Sequence, residues 1–309
     1  MRHGVRGLVL LLCLLAWAQP VCAGSTTLSP EPGVMLAPAG DADRELSLDL
    51  EAGYVGQADL TGGQGSVGVL RTTFTADYSI FRLSYGISRY LWEDGAEVRF
   101  ATGDRVPWET LHDVTLQARL IDNSLGGDWR YWLNGELSSS FEQDFPGAVG
   151  AGFDGGVAYE FLDGWMIGLT GKGVILSALR DDLLGDLEMG LALAVSQKAL
   201  RAMIKGVGLG GMLGDGSDRL GFSLALTGAD KTYRLSPSSP VRRNGYLGIR
   251  RSRVGAYLDY RHDDRLTLSV GPEYTFSRKF SLYDSTGSLS SSHRVRDALG
   301  GSVHLRWDF

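Results

Sequence analysis

From Leu46 to the last residue this chain alternates apolar and polar residues, in stretches of about ten. Only an extended strand puts residues i and i+2 on one side, so the alternation demands strands with two unlike faces. Leu46, Leu48, Leu50, Ala52 and Tyr54 share one face; Ser47, Asp49, Glu51 and Gly53 share the other. Val114, Leu116, Ala118 and Leu120 oppose Thr115, Gln117 and Arg119. Trp129, Tyr131, Leu133 and Leu137 oppose Arg130, Asn134 and Glu136. Leu220, Phe222, Leu224 and Leu226 oppose Arg219, Gly221 and Ser223.

About thirteen such segments can be marked, near 46–56, 69–78, 80–92, 112–122, 129–141, 151–161, 165–176, 186–196, 199–213, 219–233, 246–261, 265–276 and 299–309. Many have the ~9–11 residues with which a tilted strand crosses a bilayer, where soluble strands average ~5–6. Short links such as Leu162-Asp163-Gly164 and His262-Asp263-Asp264 interleave with long ones at 93–111, 142–150 and 277–298. That asymmetry is the one membrane barrels show between their two rims.

An odd count conflicts with the even strand numbers of single-chain bacterial barrels. The apolar phase shifts at Lys205-Gly206 and again at Arg250-Arg251-Ser252. Each shift marks a turn or a bulge. A turn at the first gives fourteen strands; reading 69–92 as one long bent strand gives twelve. The expected fold is all-β, an antiparallel up-and-down transmembrane β-barrel of about 12–14 strands.

Composition agrees. The 309 residues hold 43 Gly, and 43% of residues are apolar. Gly at about 14% is double the usual ~7%, without the Pro and strict period of collagen. A mean hydropathy of −0.05 is what alternating apolar and polar faces average to. Outside the first 23 residues no apolar run approaches the ~18 of a membrane helix.

Residues 1–23 have the form of a secretory signal: Arg2 and Arg6, an apolar run from Leu8 to Ala18, then Val21 and Ala23 before the expected cleavage. Both cysteines, Cys13 and Cys22, lie there, so thiol and disulfide chemistry leave with it. Loss of Arg2 and Arg6 leaves 28 basic against 36 acidic residues, a balance that argues against nucleic acid. Residues 24–43, with Pro30, Pro32 and Pro38, are expected to be a flexible lead-in, and 44–309 the barrel.

At the other end Val303, Leu305, Trp307 and Phe309 alternate with Ser302, His304, Arg306 and Asp308. A terminal Phe with a period-2 apolar face behind it resembles the assembly signal of Gram-negative outer-membrane barrel proteins. The chain as a whole is similar to uncharacterised outer-membrane barrel families of unknown function. The resemblance implies export to the outer membrane, contact with its lipids and lipopolysaccharide, and docking of the last strand on the barrel assembly machinery. Trp92, Trp108, Trp129, Trp165 and Trp307, with Tyr54, Tyr78, Tyr90 and Phe161, lie near segment ends and are expected to form aromatic girdles.

If the apolar face meets lipid, the other face lines a lumen. Its expected charges are Arg71, Arg82, Arg119, Arg130, Glu136, Asp154, Glu160, Lys172, Asp259, Arg261, Glu273 and Arg306, with Asp49, Glu51, Asp77 and Arg253 beside them. Facing hydrocarbon each would cost several kcal/mol. Their function is left between porin-like passage of small solutes or ions and a structural or surface-binding barrel with a closed lumen.

Chemistry is not expected. None of His112, His262, His293 or His304 has a Ser two residues on, as outer-membrane lipid hydrolases do, or an Asp two residues before, as omptin-type proteases do. His112-Asp113 and His262-Asp263 suit solvated turns. The isolated His residues, with no Cys beside them, offer no zinc spacing. Gly206 to Gly211 lacks the Lys-Ser/Thr of a phosphate loop, and Asp215 to Asp218 is too short for a calcium loop. No cofactor follows. Arg278, Lys279, Arg294 and Arg296 give the 277–298 stretch a basic surface that could meet lipopolysaccharide phosphates.

Overall fold

A computed structural model describes residues 46–61, 65–93, 107–126, 128–176, 185–206, 220–262 and 265–309. The expected signal and lead-in, and the glycine-rich and Asp215–Asp218 stretches beyond Gly206, lie outside them. The strands are β1 (Ser47–Asp59), β2 (Ser66–Tyr78), β3 (Phe81–Trp92), β4 (Thr110–Gly126), β5 (Trp129–Phe141), β6 (Ala148–Leu162), β7 (Trp165–Leu176) and β8 (Gly185–Val195). A helix, α1 (Gln197–Gly206), precedes β9 (Leu220–Arg234), β10 (Tyr246–Arg261), β11 (Leu266–Tyr283), β12 (Leu289–Val295) and β13 (Ala298–Asp308).

Sequence neighbours pair antiparallel from β1 to β11, and β13 pairs with both β11 and β1, so the sheet closes on itself. β12 and β13 run along the same neighbour, β11, in one direction, and form one interrupted strand. The barrel therefore has twelve strands. At the seam Ser47 faces Asp308 and Val55 faces Gly300, and the Phe309 amide donates to the Leu46 carbonyl at 3.0 Å. Both ends of the barrel chain thus lie on one rim, the terminal rim; the opposite end is the loop rim. A twelve-residue strand rises ~40 Å, and a tilt of ~45° brings this to ~28 Å, close to the ~30 Å hydrocarbon layer.

Links at the terminal rim are tight. Ser79 and Ile80 join β2 to β3, with Ser79 at φ 55°. Asp163-Gly164 joins β6 to β7, and Gly164 takes φ +78°, a conformation glycine reaches without a Cβ penalty. The 69–92 stretch is accordingly two strands rather than one bent strand.

The expected strand at 199–213 is overturned where it is described: Gln197–Gly206 is helix, and 207–213 lie outside the described residues. Ser196 starts it, its Oγ accepting from the Ala199 amide at 3.3 Å and its carbonyl from Leu200 at 2.9 Å, a side-chain cap on an otherwise orphan donor. The Ser196 amide donates to Gly164 O at 2.7 Å, which seats the helix beside the neighbouring turn. The phase shift at Lys205-Gly206 is the end of this helix. The other shift, at Arg250 to Ser252, is a bulge in the β10–β11 ladder.

Three further expectations are corrected. The 277–298 stretch is no open loop: Arg278–Tyr283 pairs with Leu289–Val295 as a hairpin extension above the rim. His112 is no turn residue; it lies in β4, its Nδ1 2.9 Å from Tyr85 Oη and its ring stacked on Tyr85. Tyr90 and Trp108 do not join a girdle but are buried, and Trp92 packs against them.

Candidate luminal site

The two faces of the sheet have opposite chemistry. Leu50, Leu70, Phe74, Phe153, Leu169, Leu191, Leu226, Leu268 and Val303 stand exposed on the outside, Leu169 at 56%. Arg71, Asp77, Arg82, Gln117, Asn134, Glu136, Asp259 and Glu273 are buried. A soluble barrel would reverse this, because apolar area gains ~25 cal/mol per Å² when taken from water and buried charges need partners.

The buried charges have such partners. Glu273 Oε2 accepts from Arg71 at 2.8 Å; its Oε1 accepts from Arg253 at 3.0 Å, Tyr257 Oη at 2.9 Å and Ser302 Oγ at 2.8 Å. Nearer the terminal rim, Arg82 holds Asp77 through Nε at 2.6 Å and Nη2 at 3.0 Å. Gln117 donates to Glu136 at 3.0 Å and to Asp154 at 3.2 Å, and Asn134 donates to Asp154 at 2.9 Å. Lys172 reaches Glu136 from two strands away. Arg306 pairs with Asp308 at 3.1 Å.

The remaining residues of the expected lumen set are more dispersed. Arg119 pairs with Asp122, three residues on in its own strand, at 3.1 Å. Glu160 accepts from the Gly164 amide at 2.7 Å and so braces a rim turn. Asp259 and Arg130 have partners of their own. Arg261 ends β10 at the terminal rim with Nε buried.

The loop rim is built differently. Val55, Leu60, Val67, Tyr90, Trp108, Leu111, Tyr233, Leu247, Phe280 and Val295 meet in one buried apolar cluster. Trp108 is 2% exposed, and its ring lies edge-on to Tyr90 at 5.7 Å and to Phe280 at 5.2 Å. Trp92 Nε1 donates to the Trp108 carbonyl at 2.6 Å. β9 also leans across: Phe141 of β5 pairs with Arg234 of β9, and the Glu142 amide donates to Arg234 O at 3.0 Å. Below that contact Lys231 Nζ meets Asp113 Oδ1 at 2.7 Å, and Tyr233 Oη donates to Asp113 Oδ2 at 2.9 Å. Opposite walls of the barrel therefore touch at this end.

Beneath the cluster lies a cavity of about 240 Å³, lined among others by Glu51, Arg71, Lys172, Glu188, Lys231 and Arg251. Both signs of charge face it. The alternation pattern alone did not reveal the apolar cluster. The signal was present in β2, where Val67, Val69 and Leu70 make both faces apolar near the loop rim, and again in the inward Tyr90 and Trp108.

A closed antiparallel barrel, apolar outside and charged inside, is a transmembrane β-barrel of the outer-membrane type. No family model matches this chain, and no curated protein matches it. Among solved structures, it is similar in strand course to the NanC porin, with 10% identity over 85% of this chain and 100% of that one at a TM-score of 0.43. The KdgM porin follows at 8% identity, 85% and 99% coverage, and a TM-score of 0.40. A Pseudomonas aeruginosa FadL homologue has 11% identity, 90% and 96% coverage, and a TM-score of 0.37. None of these structures bears on the chemistry of this lumen.

Proposed function

We propose that the chain is an outer-membrane barrel whose lumen is shut at the loop rim in its resting form, serving as a luminal-binding and surface barrel. The observation that carries this reading is the meeting of Trp108, Tyr90 and Phe280 across the mouth, with β5 touching β9 beside them. An open passage needs a continuous wet path, and an apolar constriction excludes ions by dewetting. The paired charges below it fill lumen volume with fixed side chains. In this reading lipid covers the apolar belt, lipopolysaccharide surrounds the loop rim, and the assembly machinery takes the final strand. Lys279 and Arg294 remain available for lipopolysaccharide phosphates, whereas Arg296 pairs with Asp59 at 3.4 Å and Arg278 is buried.

A second reading is porin-like passage with the Trp108 segment as the obstruction; the charged cavity under it favours this. Planar-bilayer recording on the folded protein separates the two. The first expects conductance at the leak level. A large steady conductance from the wild type would overturn it.

A further inference from the structure

Two luminal charges stand apart from the paired network. Among the described residues, neither Arg251 nor Glu188 makes an ion pair or a side-chain hydrogen bond, and both line the cavity. They occupy one row of the wall: Glu188 of β8 faces Ala229 of β9, and Ala229 faces Arg251 of β10.

Each is left single for a visible reason. The other cross-strand neighbour of Glu188 is Lys172, and the Lys172 ammonium is drawn to Glu136. Arg251 stands opposite the bulge of β11, where two residues, Ser277 (φ 53°) and Arg278, span its one position, so the only charged residue across from it is another cation. Arg250 beside it points outward and pairs with Asp230 at 2.8 Å. The guanidinium of Arg251 acts electrostatically on Arg71 and Arg278, which share its charge, and on the rings of Tyr90 and Tyr233. The nearby Glu273 is already held by Arg71 and Arg253. An anion is what this corner lacks; Glu188 acts on Arg253 through space, but that guanidinium is in contact with Glu273, so no cation touches the Glu188 carboxylate.

We propose that the cavity binds a small zwitterion, with its carboxylate on the Arg251 guanidinium and its ammonium on the Glu188 carboxylate. Ala229 between them has only a methyl group and leaves a notch for the ligand backbone. Two strand spacings put the anchors roughly 10 Å apart at the wall. An extended dipeptide of ~7 Å fits that span better than one amino acid. The cavity, about 240 Å³, has room for such a molecule, since one water needs only ~10–15 Å³ by the same kind of measure. The site rests on the barrel and its luminal cavity, and does not depend on whether the mouth opens.

The test uses the full chain folded in detergent micelles, with glycylglycine present throughout folding so that a closed mouth cannot exclude it. The readout is the temperature at which the compact, unboiled gel band is lost. Ligand that binds only the folded state raises this midpoint with concentration. The wild type is expected to show that rise, while acetate and methylammonium at matched concentration give none. Arg251→Gln and Glu188→Gln remove unpaired charges, so both fold to the compact band and both lose the rise. No rise in the wild type overturns the proposal, as does a rise that persists in both variants. Equal protection by acetate, insensitive to Glu188→Gln, reduces the site to a simple anion site and also overturns it. Absence of any compact band in the wild type would be a failure of the barrel reading instead.

Discussion

Tyr90 of β3 and Phe280 of β11 stand with ring centroids 6.1 Å apart, although three strands separate them around the wall. Only an inward collapse of the loop rim brings those two positions together. Trp108 fills the space between, so it is the residue whose removal opens the mouth. Trp108→Ala is expected to raise single-channel conductance above that of the wild type. Its thermal stability should fall, by about 3–5 kcal/mol if the site behaves as a core Trp. Unchanged conductance in a folded variant would mean that the obstruction lies elsewhere.

Glu273 is the keystone of the mid-lumen network. Glu273→Ala removes the acceptor of two guanidiniums, a phenol and a hydroxyl at once. Breaking a buried ion pair by deleting one partner costs about 3–5 kcal/mol. Urea unfolding in detergent, followed by tryptophan fluorescence, should show a loss of that size. A double variant, Glu273→Leu with Arg71→Met, should recover part of it, because no lone charge then remains at that pair.

The outward face makes its own prediction. Leu169 lies midway along β7 and is exposed. Leu169→Arg should destabilise the barrel by about 2–4 kcal/mol in lipid vesicles, the cost of a cation near the bilayer midplane. In water-rich detergent at the micelle edge the same change should cost less. Equal cost in both media would argue that this face does not meet hydrocarbon.

Asp284 gives a pH-dependent feature outside the membrane-spanning part. Its carboxylate accepts from Thr286 Oγ1 at 2.6 Å, the Thr286 amide at 2.9 Å and the Ser288 amide at 3.1 Å. The hydroxyl and amide of Thr286 hold its pKa below the ordinary carboxylate value. A lowered folded value means that the turn is fully supported above the unfolded pKa and loses that support as pH falls through the folded one. Amide exchange at Thr286 and Ser288 should therefore quicken only in strongly acid solution. Asp284→Asn should flatten that response.

The terminal strand can be tested in cells. Trp307 and Phe309 stack at 5.3 Å on the outer face. Phe309→Ser is expected to cut the amount of barrel reaching the outer membrane several-fold, while refolding from urea into detergent proceeds as for the wild type. Equal loss in both settings would assign Phe309 to stability alone.

The strands were legible because lipid forces one face to be apolar along its whole length, as in Leu48, Leu50, Ala52 and Tyr54. The bulge opposite Arg251 was legible as a break in phase. The helix was not, because Leu200, Ala202 and Ile204 satisfy a period of two as readily as they fit helical turns. Its start shows only in the Ser196 cap, a contact with local meaning once the chain is folded. The closed mouth was hidden for a different reason. Inward apolar residues such as Val67 and Phe280 come from strands far apart in sequence, and nothing in alternation says that they meet.

The seam between β1 and β13 sets a timetable. Arg306 and Ser47, which touch there, are 259 residues apart. Bringing ends that distant together costs on the order of 5 kcal/mol in chain entropy before any contact offsets it. The first strand therefore keeps one edge unpaired until the last strand arrives beside it. Until that closure the sheet presents two open edges, each a row of unpaired amides and carbonyls that another chain could join.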